Sequence, residues 1–180
     1  LQTWGALNTV ITNYPGEKWG AWFPETFDRV LLDAPCSMES LRISPSHPHR
    51  PITPDERSRL AARQLALLES AVAATHIGGE IVYSTCTLAP EEDEAVLDAF
   101  LKAHPGVIQI DPTPSRQLQA SGLTYFNGKA FDPQVAGSLR LWPNLLGTNG
   151  FFAALLKKIG TMPIVEANQP TREFASTGLA

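Results

Sequence analysis

The chain has 180 residues, 43% hydrophobic and 18% charged, with 13 Gly and 15 Pro, which fits one globular domain with a substantial core and excludes a collagen, a coiled coil or a disordered chain. Its net charge of −4, from 14 Lys and Arg against 18 Asp and Glu, argues against a surface that binds nucleic acid all over but leaves room for a local basic patch. There is no apolar run of about 18 residues and no basic-then-apolar leader, so no membrane insertion or export is expected and the protein is placed in the cytoplasm. The chain begins with Leu rather than Met, and so is expected to be part of a longer protein.

In chain order, residues 8–13 form a β-branched run closed by Tyr14-Pro15-Gly16, which predicts a strand and a turn. Phe27–Asp33 has a nearly continuous apolar centre, the mark of a parallel strand buried on both faces, and it stops at Ala34-Pro35-Cys36-Ser37. Residues 39–54 are rich in proline without an apolar period and predict an exposed excursion. Thr53-Pro54-Asp55-Glu56 then supplies an N-cap, a first-turn proline and a capping acid. With Leu60, Gln64, Leu67, Leu68 and Ala71 at helical spacing, this predicts a helix over about 54–76, ended by Gly78-Gly79.

Residues 80–85 predict another strand, followed by Cys86-Thr87-Leu88 and by the acidic run Pro90–Glu94, which suits the first turn of a helix ending at Pro105-Gly106. Residues 107–111 predict a further strand. The stretch to Gly137 has no clear assignment, and residues 138–142 and 151–157 predict a closing antiparallel pair. Alternating strands and helices define an α/β fold with a doubly wound, mostly parallel sheet. The domain is placed at residues 1–158, and the polar 159–180 segment is expected to be a linker or disordered tail.

Ligands of open α/β sheets bind beyond the carboxyl ends of the strands, where this sequence puts Asp33, Cys36 and Cys86. One crossover joins the two strands, so they should be neighbours and both thiols should face one crevice. Cys86 also precedes a predicted helix N-terminus, which favours a thiolate. The two cysteines are too few for a disulfide scaffold, and with His47 and His49 they match no common zinc spacing, so no metal is expected. A thiol hydrolase needs a histidine beside its nucleophile, and His76 and His104 are expected at helix C-termini away from it.

Asp33-Ala-Pro-Cys36-Ser and Ser84-Thr-Cys86-Thr, followed by Pro90-Glu-Glu-Asp-Glu-Ala-Val96, resemble the two signature segments of the Nop/Sun-type RNA cytosine-5 methyltransferases. Thr12–Gly16 is similar to that family's third Rossmann strand and turn, and Arg140-Leu-Trp-Pro143 with Gly150-Phe-Phe-Ala-Ala to its closing strands. The resemblance covers residues 8–158 and implies a Rossmann-like class I methyltransferase domain that lacks its N-terminal strands and uses S-adenosylmethionine. The family's Asp-x-Cys-Ala-Ala-Pro-Gly-Gly-Lys cofactor loop is absent from this sequence, and Met38-Glu39-Ser40 stands where Gly-Glu-Gly is usual.

By this resemblance Cys86 is the nucleophile that adds to carbon 6 of cytosine, and Cys36 assists release of the methylated base. Asp33 contacts the base or the cofactor's sulfonium, and Pro35 fixes the Cys36 loop on the substrate side. Pro15 lies on the cofactor side, where many members carry aspartate. The implied partner is RNA, ribosomal RNA first and transfer RNA as the competing substrate. A non-catalytic RNA-binding remnant of the fold is the alternative from another class. The five arginines of residues 42–63, with His47 and His49, offer a local charge excess for phosphates, and Trp19, Trp22, Tyr125 and Trp142 are candidates for stacking on bases.

Overall fold

The computed structural model describes residues 5, 8–41, 50–163 and 167. A 3-10 turn at Gly16–Lys18 leads into α1 (Trp19–Trp22), β1 (Phe27–Asp33), α2 (Pro54–Ala74), β2 (Thr75–Thr85), α3 (Glu94–Ala103) and β3 (Ile108–Asp111). Then come α4 (Thr113–Leu118), the small hairpin β4 (Tyr125–Phe126) and β5 (Lys129–Ala130), β6 (Leu139–Leu141), α5 (Pro143–Leu146) and β7 (Phe151–Lys158).

Helix α2 starts where its capping residues require: the Thr53 hydroxyl accepts the Glu56 N–H at 3.2 Å, and Pro54 occupies the first turn, where its missing N–H costs no hydrogen bond. It ends at Ala74, two residues before the expected boundary, because β2 begins at Thr75 and carries Gly78-Gly79 within it. His76 therefore lies on a strand, bonded to Asp28 at 2.8 Å, and not at a helix end. His104 does cap α3 and bonds Glu69 at 2.9 Å.

The main sheet has the order β1–β2–β7–β3, with β6 also on β7. β1 and β2 pair in parallel, as a single crossover through α2 demands, while β7 runs antiparallel to β2, β3 and β6. The expected closing pair is β6 and β7. β7 is also inserted between β2 and β3, so among the described residues β1 and β2 are the only strands that share parallel hydrogen bonds. Phe152, Ala154 and Leu156 alternate into the core from β7 and meet Ile81 and Tyr83 of β2, Leu68 and Val72 of α2, and Leu97 and Phe100 of α3.

Two expectations fail at the outer edge of this sheet. Residues 9–15 form no strand, because a strand needs a ladder partner and no described strand pairs with this run. Among the described residues β1 is accordingly an edge strand and not buried on both faces: Leu31 is 74% exposed. Residues 42–49 of the proline-rich excursion, with Arg42, His47 and His49, lie outside the described residues, as do 164–166 and 168–180 of the tail. The tail's first residues close onto the domain: Ile159 and Gly160 donate to the Val107 carbonyl, and Met162 packs on the core. Among the described residues no helix is long and apolar enough to cross a membrane.

Candidate active site

The parallel ladder brings the two cysteine segments side by side. Asp33 is in register with Ser84, the Ser84 hydroxyl donates to Asp33 Oδ1 at 3.3 Å, and the Ala34 N–H donates to the Ser84 carbonyl. The chain then leaves both strands in turns that carry Cys36 and Cys86, whose sulfurs stand 3.2 Å apart and half-buried. One thiol can donate to the other at this distance. Burial first, and then the Cys86 contact, push the Cys36 thiol up to about 12, so Cys36 keeps its proton at neutral pH.

The turns are tied across the gap as well. The Ser37 hydroxyl donates to the Thr87 hydroxyl at 3.0 Å, and Thr87 in turn accepts the Ala89 N–H. Met38, which stands where the resemblance leads one to expect glycine, has φ of 57°. The loop therefore bends as glycine would bend it, at a cost of about 1–2 kcal/mol for a side chain in the left-handed region.

Asp33 and Pro35 are exposed beside the pair, and the Pro35 carbonyl accepts from Gln64 at 2.8 Å. Pro15 takes no part in this hydrogen-bond set. It is exposed at the start of the first 3-10 turn, with its carbonyl used by the Lys18 N–H. Helix α3 begins eight residues past Cys86, so the thiol precedes the helix as expected but is not next to its N-terminus; it sits in the turn directly after β2.

The acidic run after Cys86 leads into α3 as expected, with Asp93 at its N-cap position and Glu94 in its first turn, but its last three acids are not left to the helix dipole alone. Glu92, Asp93 and Glu94 are all fully buried. Glu94 binds the Arg140 guanidinium through both oxygens, at 2.8 and 2.7 Å, and Arg140 also reaches the Leu88 carbonyl at 2.9 Å and Asp93 at 3.4 Å. Thr85 donates to Asp93 at 2.6 Å, and the buried Tyr83 phenol donates to the Glu92 carbonyl at 2.6 Å. Burial, opposed by the Thr85 hydrogen bond, pushes Asp93 up to about 8. These contacts freeze the 86–94 segment against the core, and Arg140 anchors the turn directly after Cys86.

Sequence reasoning assigned no role in the site to Gln64, Glu92, Asp93, Glu94 or Arg140, and offered Arg57 only as one of the arginines available to phosphates. The available signal was polarity at inward positions: Gln64 lies on the apolar stripe of α2, and Arg140 stands between two leucines on β6.

The arginine-rich stretch is less free than its composition suggests. Arg50 pairs with Glu56, Arg57 with Glu39 and Glu92, and Arg63 with Glu17. Of the aromatic candidates, Trp19 packs against Phe23 and Phe27, Trp22 against Tyr14, and Trp142 under the Arg140 guanidinium, while Tyr125 is exposed. An open cleft of about 330 Å³ lies between Glu39, Arg57 and the 87–91 turn.

An α/β sheet with an antiparallel strand inserted beside its parallel pair is the fold of a class I methyltransferase domain. Solved structures agree. A methyltransferase homolog from Pyrococcus horikoshii superposes with a TM-score of 0.72 at 31% identity, over 88% of this chain and 48% of that one. NSun6 from the same organism, solved with SFG, gives a TM-score of 0.67 at 24% identity, over 89% of this chain and 37% of its own, a likeness of fold.

Residues 1–157 match the family model described as 16S rRNA methyltransferase RsmB/F, and the chain belongs to that family. Among its relatives, the ribosomal RNA small subunit methyltransferase F of Erwinia tasmaniensis is 34% identical over 163 residues, 91% of this chain and 32% of that protein. That of Klebsiella pneumoniae is 35% identical over 176 residues, 97% of this chain and 35% of its own length. The chain thus spans about a third of the length of these relatives.

Proposed function

We propose that this chain is the cysteine-bearing part of the catalytic domain of an S-adenosylmethionine-dependent RNA cytosine-5 methyltransferase that acts on small-subunit ribosomal RNA. The observation that carries the reading is the 3.2 Å approach of Cys36 and Cys86 at the shared rim of β1 and β2. The family match and the names of the relatives support the ribosomal substrate. The SFG of the archaeal structure, a cofactor analogue, supports the cofactor.

Carbon 5 of cytosine is a weak nucleophile. The Cys86 thiol gives its proton to water, its sulfur bonds to carbon 6, and the carbon 5–carbon 6 π pair shifts into the ring, leaving an enamine-like carbon 5 that can take a methyl group. S-adenosylmethionine supplies that methyl as an electrophile. The exposed carboxylate of Asp33 suits a cationic donor or the amino edge of the base. Pro15 has only a carbonyl, already used by Lys18, so the residues present fit the cofactor at Asp33 and not at Pro15. Carbon 5 then gives its proton to water, the carbon 6–sulfur bond breaks, and the electron pair returns to Cys86. Cys36, which keeps its proton at neutral pH, donates its S–H to the departing sulfur. The base reaches the rim only from a single strand or after flipping.

The test places residues 1–180 behind the upstream part of the Erwinia relative and follows methyl transfer and covalent trapping on 16S RNA. Cys86→Ala should abolish the protein–RNA adduct, and Cys36→Ala should let it accumulate. The opposite pattern exchanges the roles of the thiols, and no transfer by the parent chimera refutes the enzyme reading.

A further inference from the structure

Glu92 has no part in the bond-making steps above, yet its buried carboxylate is spent on the Cys36 loop. Its Oε2 accepts the Ser37 N–H at 2.9 Å and a Gln64 Nε2 hydrogen at 3.1 Å, and its Oε1 accepts Arg57 Nη1 at 3.0 Å. Gln64, also fully buried, uses the same nitrogen to donate to the Pro35 carbonyl. Pro35 C=O belongs to the peptide group before Cys36 and Ser37 N–H to the one after it, so both peptide groups that flank the thiol are held by one pair of side chains.

The base of this clamp is itself fixed. The Glu92 N–H donates to the Ala89 carbonyl at 2.9 Å, and the Glu92 carbonyl accepts the Tyr83 phenol. Its grip leaves a trace in the amide: among the described residues Gln64 Oε1 is the one buried side-chain nitrogen or oxygen without a partner. An amide that commits its nitrogen to the Pro35 carbonyl of the loop and to the Glu92 carboxylate while its oxygen goes unsatisfied has been oriented for this clamp and not for its own hydrogen bonding.

We propose that Glu92, acting with Gln64, is the positioning residue that holds the Cys36 sulfur against Cys86. The geometric claim stands by itself; its kinetic consequence rests on the release role given to Cys36 above. A carboxylate is needed because three donors, from a peptide N–H, an amide and a guanidinium, converge on it. Glu92→Gln would bring an N–H₂ among those donors and free the loop.

The test starts with the 180-residue chain carrying Cys86→Ser, so that Cys36 is its only thiol. Added Glu92→Gln should raise the rate of Cys36 alkylation by iodoacetamide about tenfold, as a half-buried thiol gains access to water. Gln64→Leu should also raise it, and decides the matter if Glu92→Gln unfolds by circular dichroism. Folded variants that alkylate at the parent rate overturn the proposal.

In the enzyme at the length of its relatives, Glu92→Gln should prolong the RNA adduct and lower kcat with KM for RNA unchanged. It should add nothing in a Cys36→Ala background, a non-additivity that a general loss of stability would not produce. A separate effect in that background overturns the proposal. Faster alkylation with an unchanged adduct lifetime upholds the clamp and refutes the release role of Cys36.

Discussion

Arg140→Met removes the one cation that the buried 92–94 segment shares with β6. Arg140 is fully buried and makes four hydrogen bonds, two to Glu94, one to Asp93 and one to the Leu88 carbonyl, and its guanidinium lies 4.9 Å from the Trp142 ring centre. Methionine keeps most of the volume but leaves Glu94 without a counter-charge in the interior. Removing one partner of a buried pair costs about 3–5 kcal/mol. A domain of this size is stable by only about 5–15 kcal/mol, so the variant should sit near the edge of folding at neutral pH. With a urea m-value of about 1–3 kcal/mol/M, the midpoint should fall by roughly 2 M at constant m. Arg140→Lys, which keeps the charge but not the fork, should lose less. Urea titrations followed by circular dichroism at neutral pH measure both variants. An Arg140→Met protein within about 1 kcal/mol of the parent at neutral pH would refute the reasoning.

Two further predictions follow from the same residues. Diamide, a thiol oxidant, should join Cys36 to Cys86 within one chain, because the sulfurs start 3.2 Å apart and a disulfide needs about 2.05 Å; peptide mapping that finds only cross-linked dimers or free thiols would contradict the shared rim. Asp93 is raised to about 8 by burial, above its unfolded value of about 3.9, so the folded state binds its proton more tightly and the carboxyl loses stability as pH rises through that window. Stability relative to Asp93→Asn should therefore decline between about pH 4 and pH 8, and a profile that climbs across this range would show that Arg140 outweighs desolvation at Asp93.

The part of the site that could be read from sequence is the part written in neighbouring residues. Thr53, Pro54 and Glu56 announce the start of α2, and the apolar period carries it to within two residues of its end. Asp33 and Cys36 follow one strand and Cys86 another, with one crossover between them, which is enough to predict that the thiols share a crevice. Residues 8–13 misled because a β-branched run states a propensity, whereas a strand also needs a neighbour to bond. Glu92–Glu94 misled for a related reason: acids before a helix usually meet its dipole in water, and here Arg140 and the Ser37 N–H, 46 and 55 residues away in sequence, draw Glu94 and Glu92 inward.

By itself, then, the sequence determined the α/β order, the helix cap, the two thiol-bearing turns and the resemblance that names their chemistry. The tertiary structure alone decided that β7 slips antiparallel between β2 and β3, that Arg140 holds the turn after Cys86, and that Glu92 and Gln64 grip both sides of Cys36. The division has one physical cause. Periodicity and capping are set by contacts within a few residues, whereas strand order and buried ion pairing are set by which distant surfaces exclude water together.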